Sequence, residues 1–321
     1  CTPEVESMPD LVKVENLVKY FPVAAGNVHA VDDVSFAIKE GETLGLVGES
    51  GCGKSTTGRL LIRLIETTSG RILYRGRDIA SMDKGELHGI RKQVQIIFQD
   101  PFSSLDPRKS IGETIGKPLE IFGMGSKRER EEMVDALMEK VGLSPRLYYK
   151  YPHELDGGRR QRVGIARALS LSPDFIVCDE PVSALDVSIQ AQILNLLQEL
   201  QETMQLTYLF VSHDLSVVKH ISNRIAVMYL GKIVESAPSL ELFKNTLHPY
   251  SQALLAAVPI PKLDRKREKF ILTGGVPSPI NPPSGCRFHT RCPWKMDVCS
   301  AEEPPLVDMG GEHLVACHKV P

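Results

Sequence analysis

The chain has 321 residues, 42% of them hydrophobic and 24% charged; this is globular usage with apolar material for one large domain or two modest ones, and it excludes a disordered or collagen-like chain. Lysine and arginine number 38 against 40 aspartate and glutamate, a formal charge of -2, so nothing global attracts a nucleic-acid backbone and no nucleic-acid partner is expected. No run approaches the ~20 consecutive apolar residues that span a bilayer, and no charged-then-apolar leader opens the chain, so any membrane association is expected through a partner. Cys1 stands in place of an initiating Met; that end reads as trimmed, and Cys1 is given no role.

From Leu11 to Glu235 short apolar runs alternate with helical patterns, the arrangement of an α/β fold with a mostly parallel sheet and flanking helices. Leu44-Gly45-Leu46-Val47 reads as a buried strand running into Gly48-Glu49-Ser50-Gly51-Cys52-Gly53-Lys54-Ser55, which fits the phosphate-loop pattern GxxxxGK[ST]. The glycines let backbone N-H groups turn inward around phosphates, Lys54 can bridge the β and γ groups, and the Ser55 hydroxyl can ligate magnesium. From Thr56 a helix is expected, its positive end toward the anion. Cys52 reads as a small space-filler, with alkylation sensitivity left open.

Further on, Phe175-Ile176-Val177-Cys178 is an apolar strand ending in Asp179-Glu180. Such an end brings charge to a magnesium ion at a sheet edge; Asp179 would hold the metal and Glu180 polarise the attacking water as general base. Ile189, Ile193, Leu196, Leu197, Leu200 and Met204 recur at spacings of three and four and predict one helix face after Asp186, explained by core packing. Thr207 to Val211 reads as a strand before His213. Ile225 to Leu230 and Ile233 to Glu235 flank Gly231-Lys232, expected as a hairpin turn with Gly231 at its first position. Past Ser236 prolines such as Pro249, Pro259, Pro261, Pro277, Pro279, Pro282, Pro283, Pro304 and Pro305 interrupt any long element and mark a separate C-terminal module. Within it Cys286, Cys292, Cys299 and Cys317 are spaced C-x5-C-x6-C-x17-C. In a reducing compartment four gathered thiols read as metal or cluster ligands rather than two disulfides. Tetrahedral zinc and a [4Fe-4S] cluster both suit them, with His289, His313 and His318 as alternative ligands.

Leu155-Asp156-Gly157-Gly158-Arg159-Arg160-Gln161-Arg162 resembles the ABC signature LSGGQ. The order phosphate loop, Gln99, signature, Asp179-Glu180, Ser183-Ala184-Leu185-Asp186, His213 is similar to that family's layout over roughly the first 235 residues. The resemblance implies an ABC nucleotide-binding domain over 1-235, with an antiparallel β subdomain and a helical subdomain at about 100-170, and a C-terminal domain over 236-321. It implies ATP and Mg2+ as ligands: nucleotide at Gly48, Ser50, Gly51, Cys52, Gly53, Lys54, Ser55 and Thr56, magnesium at Ser55, Gln99 and Asp179. Gln99 would be the Q-loop residue, Asp186 part of the D-loop and His213 the switch histidine, acting with Lys54 and Glu180 in catalysis. Phe21 would stack on adenine, with Tyr20 the runner-up. In this family the signature of one subunit, here Asp156, Gly157 and Gly158, completes the site on its partner's phosphate loop. The chain departs from the pattern at Asp156, where serine is expected, and at Arg159, where glutamine is expected. An ionised Asp156 would place like charge against ATP, offset locally by Arg159; the site it completes is expected to hydrolyse poorly, favouring a heterodimer over a homodimer.

Phe98-Gln99-Asp100-Pro101 with Ser104-Leu105-Asp106-Pro107-Arg108, His248-Pro249-Tyr250 with Ala253-Leu254, and Gly285-Cys286-Arg287-Phe288 resemble the dipeptide and oligopeptide importer subfamily. That resemblance implies a [4Fe-4S] cluster on the four cysteines, with zinc second. It implies a second ATPase subunit and two transmembrane permease subunits as partners, an extracytoplasmic solute-binding protein indirectly, and a peripheral position on the cytoplasmic face of the membrane. Import of nickel or another small solute is the alternative. A soluble ABC ATPase acting on DNA or ribosomes would show a tandem cassette or a long coiled-coil insertion, and neither is present; a mere nucleotide-regulated binding module would not need Glu180.

Overall fold

In the computed structural model, which describes residues 9-257 and 274-320, the chain divides into two compact units. One is discontinuous, containing the chain up to Ser81 and again from Phe210; the other is Met82-Leu209. Cys1, Pro259 and Pro261 lie outside the described residues.

The discontinuous unit opens with β1 (Asp10–Val23), β2 (Gly26–Lys39), β3 (Thr43–Val47), α1 (Lys54–Leu61), β4 (Ser69–Tyr74) and β5 (Arg77–Asp78). Strands β2-β1-β4-β5 form an antiparallel sheet in that order. Val12, Val14 and Leu17 of β1 and Val31, Val34 and Ile38 of β2 are buried, giving this sheet one core-facing side. By contrast β3 is buried at all five residues, as a strand covered on both faces must be.

The middle unit contains α2 (Lys84–Gln93), β6 (Val94–Ile97), α3 (Ile111–Ile121), α4 (Lys127–Lys140), α5 (Gly157–Leu169), β7 (Phe175–Asp179), α6 (Val187–Met204) and the start of β8 (Thr207–Ser212), within which the chain returns to the first unit. β6 and β7 are parallel, with Ile97 opposite Cys178. Helices α2, α3 and α4 each open with a capping box, Asp83 with Glu86, Ser110 with Glu113 and Ser126 with Glu129, which satisfies helix-start donors that would otherwise be orphaned. The stripe expected on α6 is present: Ile193, Leu196, Leu197 and Leu200 are buried, with Ile189 and Met204 half-buried at its ends.

Back in the discontinuous unit follow α7 (Leu215–Ile221), β9 (Arg224–Tyr229), β10 (Lys232–Pro238), α8 (Ser239–Lys244), α9 (Pro249–Ala257), α10 (Val298–Ala301), β11 (Val307–Asp308) and β12 (Leu314–Val315). Here the strand order is β11-β12-β10-β9-β3, parallel between β9 and β3 and antiparallel elsewhere. The β9-β10 hairpin is real, but its turn sits one residue earlier than expected. Tyr229 pairs with Lys232, and Leu230 (φ 43°) and Gly231 (φ 81°) are the central residues. Both adopt the left-handed region that the tightest two-residue hairpin turns demand; Gly231 N-H donates to Cys52 O at 2.9 Å, which fixes the turn where it is. Helix α1 likewise begins at Lys54, two residues before the expected Thr56, because Gly53 (φ 108°) supplies the break.

The described residues past Ser236 belong to this same unit rather than to a separate one. Glu235, fully buried, accepts the N-H groups of Leu247 (2.8 Å) and His248 (3.2 Å) and lies 2.8 Å from Nε2 of His313. His248 is 1% exposed, and its Nδ1 accepts the Tyr250 N-H at 3.0 Å, a role only the neutral ring can fill. Burial pushes the His248 pKa down to about 3. An unfolded histidine titrates near ~6.5, so between those two values the unfolded chain carries a proton that the native one refuses. Stability therefore rises with pH across that window, by about 1.4 kcal/mol per unit from this residue. Urea unfolding of the wild type should lose that much more per pH unit than His248→Gln between pH 6 and pH 5; identical slopes for the two proteins would remove His248 as the cause.

Candidate functional site

The loop after β3 is shaped by close approaches that only glycine permits. A Cβ on Gly48 would lie 2.1 Å from Met228 O of β9, and one on Gly53 would lie 2.1 Å from Ala30 O of β2; both residues have positive φ. Lys54, 4% exposed, donates from Nζ to Gly48 O (2.9 Å) and Glu49 O (3.0 Å) and lies 3.8 Å from Cys52 Sγ. Thr57 Oγ1 donates to Gly53 O at 3.0 Å. Ser55 and Thr56 are half-buried in the first turn of α1, while Ser50 and Gly51 are exposed. Cys52 is 4% exposed. Burial, partly countered by Lys54, raises its pKa, so at neutral pH it is an inert thiol that fills space.

Near this loop's own unit, Phe21 and Tyr20 differ in what they offer. Tyr20 donates to Asp32 at 2.6 Å and lies against His29, ring centres 4.1 Å apart; burial and Asp32 push its phenol up to about 12. Phe21 is 36% exposed with the Lys19 ammonium 4.9 Å from its ring centre, leaving it the aromatic with a face to present. His213 is exposed between β8 and α7.

In the middle unit, the parallel ends of β6 and β7 bring Gln99 and Glu180 together: Gln99 Nε2 donates to Glu180 Oε2 at 3.0 Å. Asp179, the last residue of β7, is 1% exposed, and Glu180 follows with φ 47°, a conformation rare for a non-glycine residue and found where a side chain must be aimed. A buried carboxylate beside a second one held by an amide is a donor set suited to a hard divalent cation and a base next to it. The turn from Pro181 to Asp186 is pinned by Gln190, whose Nε2 donates to Val182 O and Leu185 O, both at 3.0 Å. Nothing in the sequence distinguishes Gln190 from any other residue on the polar side of α6.

The signature segment opens α5. Asp156 is its N-cap, accepting the Arg159 N-H at 2.7 Å, with Arg159 Nη1 3.3 Å from the other carboxylate oxygen. Gly157 and Gly158 form the first turn, where Cβ atoms would meet Leu185 Cδ2 at 3.1 Å and Ile189 Cγ2 at 2.7 Å. The signature glycines are thus set by the turn that precedes α6 and by α6 itself.

Cys286, Cys292, Cys299 and Cys317 line one small cavity together with His248, Phe288, His289, Trp294 and His318. All four are free thiols. Burial, with smaller contributions from neighbouring thiols, pushes Cys286 up to about 11, and burial also raises Cys292 and Cys317. Among the described residues no three or more His, Cys, Asp or Glu side chains are drawn in tightly enough to hold a metal ion. The histidines named from sequence separate. His313 is turned away, buried 2.8 Å from Glu235, because the carboxylate inside β10 needs a partner. His289 and His318 line the cavity, each with one ring nitrogen near a backbone carbonyl, Cys286 O at 2.8 Å and Glu302 O at 3.0 Å.

Two side chains unassigned by sequence reach the loop after β3. Arg291 forms a fork with the Glu49 carboxylate at 2.7 and 3.1 Å, and Tyr250 OH accepts the Glu49 N-H at 2.8 Å.

The family profile described as ABC transporter matches residues 31-183, and that of the oligopeptide/dipeptide transporter C-terminal region matches residues 234-299. The chain is 52% identical to the oligopeptide transport ATP-binding protein AppF of Bacillus subtilis, over 96% of this chain and 97% of that one. It is 55% identical to the probable peptide ABC transporter ATP-binding protein y4tS of Sinorhizobium fredii, over 96% and 89%. A solved structure of the ATP-binding cassette MJ0796, dimeric and bound to ADP and phosphate, superposes with a TM-score of 0.66 at 31% identity, covering 71% of this chain and 98% of that one. With strand, phosphate loop, paired carboxylates and signature helix all in place, the chain belongs to the ABC transporter family of ATP-binding subunits, in its oligopeptide/dipeptide group.

Proposed function

We propose that this chain hydrolyses ATP to energise the import of di- or oligopeptides, working as one of two cassettes beneath a pair of transmembrane permease subunits fed by an extracytoplasmic binding protein. The observation that carries the enzymatic part is Glu180: it follows the buried Asp179 in a strained backbone conformation and is hydrogen-bonded by Gln99. A protein that only bound nucleotide would need no such base. Lys54, Ser55 and the backbone N-H groups from Gly48 to Thr56 would hold the phosphates. Ser55, Gln99 and Asp179 would hold magnesium, which when bound neutralises charge on the β- and γ-phosphates. His213 would contact the γ-phosphate and Phe21 would stack on the adenine. The peptide substrate is supported by its relatives, which are named as peptide or oligopeptide transport proteins, and by the similarity of residues 234-299 to the C-terminal region of oligopeptide/dipeptide transporters. No helix among the described residues is long and apolar enough to cross a membrane; the chain would meet the membrane through the permease subunits, on the cytoplasmic face.

Asp156 supports a heterodimer. Its carboxylate already caps α5, and the positive helix end that would meet a partner's γ-phosphate therefore carries negative charge of its own, offset in part by Arg159. The site this signature completes is the weak one; the site on this chain's own phosphate loop would take a partner's signature.

Four thiols lining one cavity would supply four thiolate bonds, and Cys286, Cys292, Cys299 and Cys317 would hold a [4Fe-4S] cluster, zinc being the alternative. The cluster would bring positive charge that favours the thiolates, against the burial that raises their pKa values.

In the assembled transporter, Glu180→Gln and Lys54→Ala should each cut ATP turnover by at least about 100-fold, the former while still binding ATP; wild-type turnover in Glu180→Gln would move the base role elsewhere. Asp156→Ser should raise turnover several-fold, and no gain would argue against a weakened site. Protein purified without oxygen should be brown, with about four irons and four sulfides per chain; one zinc and no colour would decide for the alternative.

A further inference from the structure

Glu49 lies in the loop after β3 and is gripped at every polar group it has. Arg291 Nη1 and Nη2 take its two carboxylate oxygens at 2.7 and 3.1 Å, Tyr250 OH accepts its N-H at 2.8 Å, and Lys54 Nζ donates to its carbonyl at 3.0 Å. Two of these three partners come from the C-terminal region, more than 200 residues away in sequence. Both are built in. The Arg291 side chain is 7% exposed, its Nη1 also lies 3.4 Å from Tyr229 OH, and Tyr250 is fully buried. Tyr250 is held in turn by His248 Nδ1 on its N-H, and its ring packs on Tyr229 and Phe288, centroids 4.6 and 5.4 Å away. His248 and Phe288 are walls of the four-cysteine cavity, and Arg291 directly precedes Cys292.

The loop needs such a grip. Gly48, Gly51 and Gly53 all have positive φ, and a stretch this rich in glycine loses more conformational entropy on ordering than any other kind of chain. Its inward donors are useful for binding an anion only if their directions are fixed beforehand. A bidentate guanidinium-carboxylate fork fixes two atoms in a plane and is the most directional ion pair available.

We propose that Arg291 and Tyr250 are positioning residues of the phosphate loop, through which the cysteine-bearing C-terminal segment sets nucleotide affinity. The inference rests on the reading of this loop as the ATP site. Neither side chain touches the nucleotide in this scheme; both act through Glu49.

The test is equilibrium titration of the full chain with a fluorescent N-methylanthraniloyl ATP in the presence of magnesium, for wild type, Arg291→Met, Arg291→Lys, Glu49→Gln, the double variant Arg291→Met/Glu49→Gln, and Tyr250→Phe. Arg291→Met and Glu49→Gln should each raise Kd roughly 10-fold, the double variant no more than either alone, and Arg291→Lys should recover part of the loss. Tyr250→Phe, which keeps the ring and removes the acceptor, should raise Kd about threefold. In the assembled complex the same changes should appear in KM with kcat largely kept. The structural control is Arg224→Met, which breaks a similarly enclosed fork with Glu42 at 2.9 and 3.2 Å; it should lower Tm without changing Kd. Unchanged Kd in Arg291→Met, additive losses in the double variant, or an equal rise in Kd for Arg224→Met would each overturn the proposal. If the wild type fails to bind the probe, it is the ATP-site reading that fails instead.

Discussion

The close approach of the loop after β3 to the strands beside it is the constraint around which the discontinuous unit is arranged. Here β2 and β9 come so near that Ala30 O and Met228 O occupy the space a Cβ would need at Gly53 and Gly48. The carbonyls the turn leaves behind, those of Gly48 and Glu49, are taken by Lys54. The parallel pairing of β3 with β9 and the turn at Leu230-Gly231, whose Gly231 N-H reaches Cys52 O, follow from the same crowding. A left-handed Leu230 costs about 1 kcal/mol and is tolerated because that hydrogen bond and the β-ladder on either side leave the turn no alternative.

The middle unit solves a different problem, that of keeping negative charge at a strand end inside the protein. Asp179 is almost fully buried, which is costly for a carboxylate unless a cation or donors meet it. The parallel register of β6 and β7 places Gln99 where its amide can steady the neighbouring Glu180, and Gln190 holds the following turn in shape from below. The same turn and helix set the signature glycines through Leu185 and Ile189. Within one unit, then, the geometry of the carboxylates and that of the signature depend on a shared segment, so a change in one is felt by the other.

Asp156 illustrates how one residue can be good for a helix and, on the function proposed above, would be poor for a ligand. As an N-cap, aspartate is among the best residues, and it pairs with Arg159 as well. The property that makes it a good cap, a negative oxygen at the positive end of the helix, is the one that would oppose an incoming phosphate.

The sequence by itself determined much of what is contiguous: the strand, glycine-rich loop and helix around Lys54, with the helix start two residues off, the strand ending in Asp179-Glu180, the α6 stripe and the signature. In each of these the residues that act together are neighbours in the chain, so spacing alone encodes their geometry. It also pointed to the four cysteines as a group, and they do line one cavity. Tertiary structure decided the rest. That His313 serves Glu235 rather than the cysteines, that the hairpin turns at Leu230, that Tyr20 is tied to Asp32 while Phe21 is not, and that Arg291 and Tyr250 grip Glu49 are facts about partners scattered along the chain. No local pattern marks them, because a side chain's hydrogen-bond partner is chosen by where packing leaves its tip, and packing is settled only when distant segments meet.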